Sequence, residues 1–528
     1  MTDGRTKKIG EVLASGGELF GLPWQDGEGE IYVDLRGTDP RPAAEYLRSA
    51  GCRHVAVFAE DRTTEEFCAY LYYVFEHLQD TRYLALRARI DPDRPEFPSL
   101  AAEVPALNWQ EREIQDWFGI EALGHPNPRR VALHDNWPDV HPLRKDFPID
   151  TVLPPFQGEP HVYRPTLGEG VFRIPVGPVH AGIIEPGHFN FAVAGEPILY
   201  LQLRMFYVHK GIEKRFEQLP VHHAVFLAES VSGDSSFSHG TAFSQAVERI
   251  AGVQIPEAAG LMRVVLLELE RIYNHVADIG AIATDVGFVI ANAHASRLRE
   301  SILSINEELT GSRLLRGVVC PGGVRRPWDR ARVSRTLGLL AHFERDFNDL
   351  AGILEASDST KDRLERTGIL HPEKARDLGI VGVGGRASGQ DLDVRRDHPY
   401  AAYDSLPVDV PVYQEGDVLR RMQVRIDELR HSLRLIREAA ARLGFGPHRM
   451  PVPPLPAGRH AFGAVEGWRG EILYWLRTGP GNQIARCKVK DPSLNNWPAL
   501  VEAVQGNIVP DFPVINKSFN LSYSGTDR

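Results

Sequence analysis

Cysteine is scarce. The 528 residues hold four, Cys52, Cys68, Cys320 and Cys487, far apart and never in a CxxC pair. That spacing excludes a local zinc or iron–sulfur motif, suits a reducing compartment, and leaves the four to serve as small buried apolar residues. An excess of positive charge is missing as well. The formal net charge of −10 argues against a general basic surface for nucleic acid, so no nucleic-acid partner is expected. Long apolar runs are also absent. No stretch of about 18 apolar residues occurs, and the opening MTDGRTKKIG is charged with no apolar segment behind it, so neither a membrane span nor a secretory signal is expected. There is no internal repeat and no low-complexity run.

What the chain does have is the composition of a soluble globular protein with room for at least two domains: 43% hydrophobic and 25% charged residues. Residues 31 to 106 combine strand-like IYVDLRG, HVAVFAE and RYLALRARI with EFCAYLYYVFEHL, which reads as a helix, and together they predict a small α+β domain. TVLPPFQGEPHVYRPTLGEG is too rich in Pro and Gly for long regular elements, which puts a boundary near residue 155 and two domains at 1–155 and 156–528. FRIPVGPVHAGIIEPGHFNFAVAGEPILYLQLRMF then predicts two or three strands, and long helical patterns follow at 259–283, 294–311, 329–356 and 415–444. In the last of these Val418, Leu419, Met422, Ile426, Leu429, Leu433 and Ile436 form one apolar stripe, which assigns the basic residues to an outer face. The expected fold class is α+β, a small α+β domain joined to an α-rich domain with a peripheral sheet.

Several motifs stand out: DWFGI, GHPNPRR and HPLRKDF between 108 and 148, then GPVH, YVHKGIEK, LLELERIYNHVADIG, GVGGRASG, VEGWRGE and SYSGTDR. The first group resembles the 30-kDa subunit of respiratory complex I. The second resembles the complex I 49-kDa subunit and, more closely, the large subunit of group 4 energy-converting nickel–iron hydrogenases. The fused order is that of the formate hydrogenlyase type. Such hydrogenases hold their metals with four thiolates in two CxxC pairs. Aligned by flanking residues, these positions fall on Ser232, Ser235, Ser522 and Gly525, so the resemblance implies a cysteine-less relative whose nickel–iron ligands are vacated. A serine hydroxyl is a poor substitute for soft thiolate. Read by itself, SGDSS would cap the helix that begins before AFSQAVERIAG.

The resemblance also assigns candidate roles. Glu185 in EPGH matches a proton-moving glutamate, Arg469 in EGWRGE an arginine beside the iron ligands, and Asp285 in TDVGF an aspartate that supports the quinone histidine of complex I. The quinone histidine itself falls near Pro186, the quinone tyrosine on Val221 or His222, and the motif arginine on Lys210. His188 and His222 remain as polar groups for a quinone cavity. Without the family, EPGH is a turn and His188, His209 and His239 are core histidines. The function implied is a subunit of a membrane-associated, hydrogenase-related oxidoreductase passing electrons to a quinone or another acceptor, coupled to ion translocation. It would bind no cofactor directly except a quinone, and would sit peripherally on the cytoplasmic side of the membrane against a small iron–sulfur subunit and proton-pumping membrane subunits. A complex I C/D-type subunit, a non-catalytic structural subunit and an active nickel–iron hydrogenase are the alternatives.

Overall fold

The computed structural model describes residues 8–27, 29–36, 39–154, 158, 161–166, 168–180 and 184–528. The boundary expected at residue 155 lies outside the described residues.

Five strands build the first sheet: β1 (Phe20–Gly27), β2 (Glu30–Leu35), β3 (Cys52–Asp61), β4 (Ala69–His77) and β5 (Tyr83–Ile90). Their order is β1-β2-β5-β4-β3, antiparallel except for the β2–β5 pair. β4 is the stretch whose sequence predicts a helix. AYLYYVFEH is buried on both faces, so the alternation that marks a strand is missing, and its aromatic and β-branched side chains decide the outcome. Helix α1 (Asn108–Phe118) packs on β3 and ends at Gly119, whose left-handed φ of 69° suits glycine.

A small antiparallel sheet follows: β6 (Val171–Val176), β7 (His188–Ala194) and β8 (Ile198–Arg204). Five long helices come next: α2 (Ser236–Ala251), α3 (Glu257–Asp285), α4 (Val289–Thr310), α5 (Arg330–Ala356) and α6 (Val418–Arg442). α3 is buried along almost its whole length and packs against both α4 and α6. The chain closes with strands β9 (His460–Gly467), β10 (Gly470–Thr478) and β11 (Ile484–Lys490), then α7 (Pro492–Ala503) and the short α8 (Tyr523–Asp527).

The apolar stripe of α6 faces the core, but its basic residues do not all face outward. Arg421 and Arg425 are buried, the first donating to Ser518 Oγ at 2.7 Å and the second pairing with Asp278 at 2.9 Å. Buried arginines persist because each finds a carboxylate or carbonyl, and a period count cannot see those partners.

Sheet β9-β10-β11 lies between α2 on one side and the five-stranded sheet on the other. Trp475 Nε1 donates to Tyr32 Oη at 3.0 Å, Arg53 reaches Glu471 at 3.3 Å, and Arg477 pairs with Glu60. The two expected domains therefore share one hydrophobic core. All four cysteines are buried free thiols, and Cys52, Cys68 and Cys487 belong to that core. Among the described residues, no helix is long and apolar enough to cross a membrane.

Candidate functional site

Four segments converge at one polar cluster: the 230–235 loop ahead of α2, the β9–β10 turn, the start of α7, and α8. The β9–β10 turn is tight, with Gly467 paired to Gly470, and it presents Arg469. It is seated on Gly382, which has φ +65° and where a Cβ would fall 1.9 Å from the Arg469 carbonyl oxygen. Only glycine fits there, which ties GVGGRASG to EGWRGE as one supporting unit.

Arg469 is buried and forks onto Asp234, with Nη1–Oδ1 and Nη2–Oδ2 both at 2.7 Å. Its guanidinium also lies 3.8 Å over the Trp468 ring. Asp234 is the hub. Its carboxylate accepts Ser232 Oγ at 2.9 Å and Ser235 Oγ at 3.3 Å, while its carbonyl takes Trp468 Nε1, Tyr273 Oη and Asn274 Nδ2. Burial pushes the Asp234 carboxyl up, but the Arg469 charge and hydrogen bonds outweigh it and hold the group below its ordinary value.

Three of the four vacated-ligand candidates are directly linked. Ser232 Oγ and Ser522 Oγ are 2.9 Å apart, and Ser522 Oγ accepts the Gly525 amide at 2.8 Å as the N-cap of α8. Ser235 joins them through Asp234. A Cβ at Gly525 would meet the Asp491 carboxylate at 2.5 Å. Asp491 is itself pinned by His239 Nε2 at 3.1 Å and the Ser493 amide at 2.7 Å. His239 completes its partners with Tyr474 Oη at 2.9 Å.

The helix-cap reading of SGDSS is corrected here. Ser235 makes no capping bond. The free amides of Phe237 and Ser238 are taken instead by Glu270 of α3, at 2.8 and 3.0 Å, with the Ser238 hydroxyl on the same carboxylate. Burial raises Glu270 to about 8 despite these bonds.

Glu185 is exposed, and its carboxylate accepts the Ser524 amide at 3.1 Å. It is therefore at the rim of the cluster, without the enclosure that would desolvate it. Lys210, the motif arginine's counterpart, is beside it and bonds Ser230 O at 2.9 Å, Val231 O at 2.8 Å and Ser524 Oγ. Burial pushes the Lys210 ammonium down, with Glu185, Asp527 and Asp491 acting the other way.

The quinone candidates do not come together. Asp285 ends α3, exposed, eleven residues past Asn274 and so about 16 Å along the helix. His188 is buried against Tyr163 Oη at 3.0 Å, and burial lowers its pKa. His222 is exposed and lines a separate cleft with Cys320, Arg325 and Met450. Asp234, Asp491 and Glu270 were missed by sequence reasoning. The available signal for Asp234 was a carboxylate between two serines of the same short loop.

Residues 33–152 match the family described as respiratory-chain NADH dehydrogenase, 30 Kd subunit, and residues 285–455 and 450–528 match its 49 Kd counterpart. Formate hydrogenlyase subunit 5 of Escherichia coli (strain K12) is 36% identical over 490 residues, 92% of this chain and 86% of that protein. The chain belongs to this hydrogenase-related family. Hydrogenase-4 component G of the same organism is 35% identical over 92% of this chain and 85% of its own length. The complex I-like branch is represented by the C/D subunit of NADH-quinone oxidoreductase from Bacteroides thetaiotaomicron, 28% identical over 86% of this chain and 90% of that protein.

A nickel–iron centre is what hydrogenases of this family imply, and the residues present do not fit one. The convergent donors are neutral hydroxyls already bonded to one another and to Asp234, with a glycine at the fourth position. A low-potential soft-metal centre needs thiolate. Among the described residues no group of three or more His, Cys, Asp or Glu is placed to hold a metal ion.

Proposed function

We propose that this chain is the large subunit of a membrane-associated, complex I-like oxidoreductase complex in which the nickel–iron site has been given up. The observation that carries the reading is the Ser232–Asp234–Ser522 cluster, closed by Arg469, in the place where the family resemblance puts four thiolates. A small iron–sulfur subunit delivers or receives electrons. Proton-pumping membrane subunits hold the chain at the cytoplasmic face, and the acceptor, a quinone or another small molecule, docks at the rim by Glu185 and Asp234. There Glu185 exchanges a proton with the acceptor, while Arg469 and Lys210 fix the surrounding loops. A non-catalytic connecting role is the second reading, favoured by the way every hydroxyl of the cluster is satisfied internally.

One experiment separates them. In the purified native complex, elemental analysis is expected to find no stoichiometric nickel on this subunit. Glu185→Gln is expected to assemble normally, because the side chain is exposed, and to lower acceptor reduction by roughly 10²-fold, the scale of a lost proton donor. Stoichiometric nickel would overturn the first statement. Unchanged turnover in a fully assembled Glu185→Gln complex would leave the connecting role.

A further inference from the structure

Away from the serine cluster, a cavity of about 520 Å³ opens between α1, the 127–134 segment, β8 and α7. Four arginines line it, Arg112, Arg129, Arg130 and Arg204, against one carboxylate, Glu502. Glu502 leans toward Lys374 at 3.9 Å. Arg204 is matched by Asp135 at 2.6 Å, and Arg130 only by the almost fully exposed Asp139 at 3.7 Å. Arg112 and Arg129 have no carboxylate within 4 Å among the described residues.

Arg112 is the more telling of the two. It is 8% exposed, and its fork is held by carbonyl oxygens of Arg129 at 2.6 Å and Arg130 at 2.9 Å. Asp116, one turn along the same helix, takes the amides of Val131, Ala132 and Leu133 on its Oδ2. Burial therefore pushes Arg112 down to about 10, with Asp116 offsetting it only in part. Arg129 donates to Asn127 Oδ1 at 2.9 Å and Val162 O at 3.1 Å, which leaves Nη2 without a protein hydrogen bond among the described residues.

The other walls are mixed, with apolar and aromatic Trp109, Leu203 and Tyr163 beside polar Asn108, His134 and Gln202. We propose that this cleft binds a small phosphate- or carboxylate-bearing anion carried on an aromatic or apolar body. A guanidinium fork matches such oxyanions in two-point geometry, and the volume is that of a small-ligand site. The chain's net charge of −10 disfavours indiscriminate anion binding, so occupancy here needs this local set of arginines.

The test uses the full chain, with calorimetric titration of AMP and of inorganic phosphate into the wild type and Arg129→Glu. Arg129 is exposed, so the variant should fold, which its melting curve checks. Saturable AMP binding, tighter than phosphate and weakened at least tenfold in Arg129→Glu, is the expected result. Failure of both probes to saturate at about 10 mM, well beyond the range of small-ligand sites, overturns the proposal, as does equal binding by the variant. Phosphate binding as tightly as AMP overturns the role given to the aromatic wall.

Discussion

Gly525 offers a perturbation whose sign separates two physical accounts. The residue lies inside α8 with right-handed backbone geometry, so intrinsic helix propensity alone would make Gly525→Ala stabilising by up to about 1 kcal/mol. The packing says the opposite. A Cβ would sit 2.5 Å from Asp491 Oδ2 and 2.6 Å from its Cγ, well inside van der Waals contact. Asp491 has little freedom to retreat, being 1% exposed and held by His239 and the Ser493 amide at the start of α7. Overpacking costs about 1–3 kcal/mol, and displacing the carboxylate weakens at least one charge-assisted bond worth about 1.5–3 kcal/mol. A net loss of about 2–4 kcal/mol is expected. Urea unfolding of the purified chain, followed by tryptophan fluorescence, measures it. A midpoint equal to or above that of the wild type would refute the reasoning. Gly525→Cys, whose side chain is larger still, should be destabilised at least as much.

Asp234→Asn leaves the buried Arg469 guanidinium facing a neutral amide. Losing one partner of a fully buried pair costs about 3–5 kcal/mol, but the Asp234 side chain is 38% exposed, so about 1–3 kcal/mol is expected in urea, with Asp234→Asn/Arg469→Gln losing less than the sum of the single changes. Acid sensitivity follows from the same pair. The Asp234 carboxyl is depressed in the fold, so its contribution is complete above the ordinary aspartate value and is lost as pH falls below it; Asp234→Asn should flatten the stability curve below about pH 4. Glu270 has the opposite sign. Raised from 4.5 to about 8, it binds a proton in the fold that the unfolded chain releases, so its contribution declines as pH climbs through that window. Glu270→Gln should remove a slope of up to about 1.4 kcal/mol per pH unit, and an unchanged slope would show that Glu270 is ionised throughout.

Much of the α-rich half is legible in sequence because α4, α5 and α6 each bury a stripe that recurs every three or four residues, while α3, buried almost throughout, stands out as a long uninterrupted helical run. β4 is not legible in that way, since a strand buried on both faces carries no alternation, and its apolar run fits either element. The same limit hides Arg421 and Arg425, whose burial depends on Ser518 and Asp278, distant in sequence. Within the site, Ser232, Ser235, Ser522 and Gly525 could be named only through the family resemblance, for nothing in their spacing signals a shared location 290 residues apart. Asp234 escaped because its partner, Arg469, sits in a hairpin turn 235 residues away in the chain. Asp285 and His222 were placed by homology of motif, and the length of α3 and the exposed side of the Val221–Ala228 helix on which His222 lies set them apart from the cluster.

The way the cluster is closed constrains how it can work. Ser232, Ser235, Ser522 and Arg469 are all buried, each at 6% exposure or less, whereas Asp234 is partly open and Glu185 is exposed. Solvent therefore reaches the cluster at Asp234, while Ser232 and Ser235 behind it hold that carboxylate in place. The cluster is tied to the first domain as well. Asp527, next to Arg528, accepts the amides of Phe206 and Val208, at 3.0 and 2.8 Å, while the Arg528 guanidinium bridges Glu113 of α1 and Glu213. Because Ser522 caps α8 and Gly525 lies within it, a shift of α1 would move the cluster's own hydroxyl. Loss of the Glu113 carboxylate should thus disturb the serine cluster from outside it, by leaving a buried guanidinium with one acid fewer.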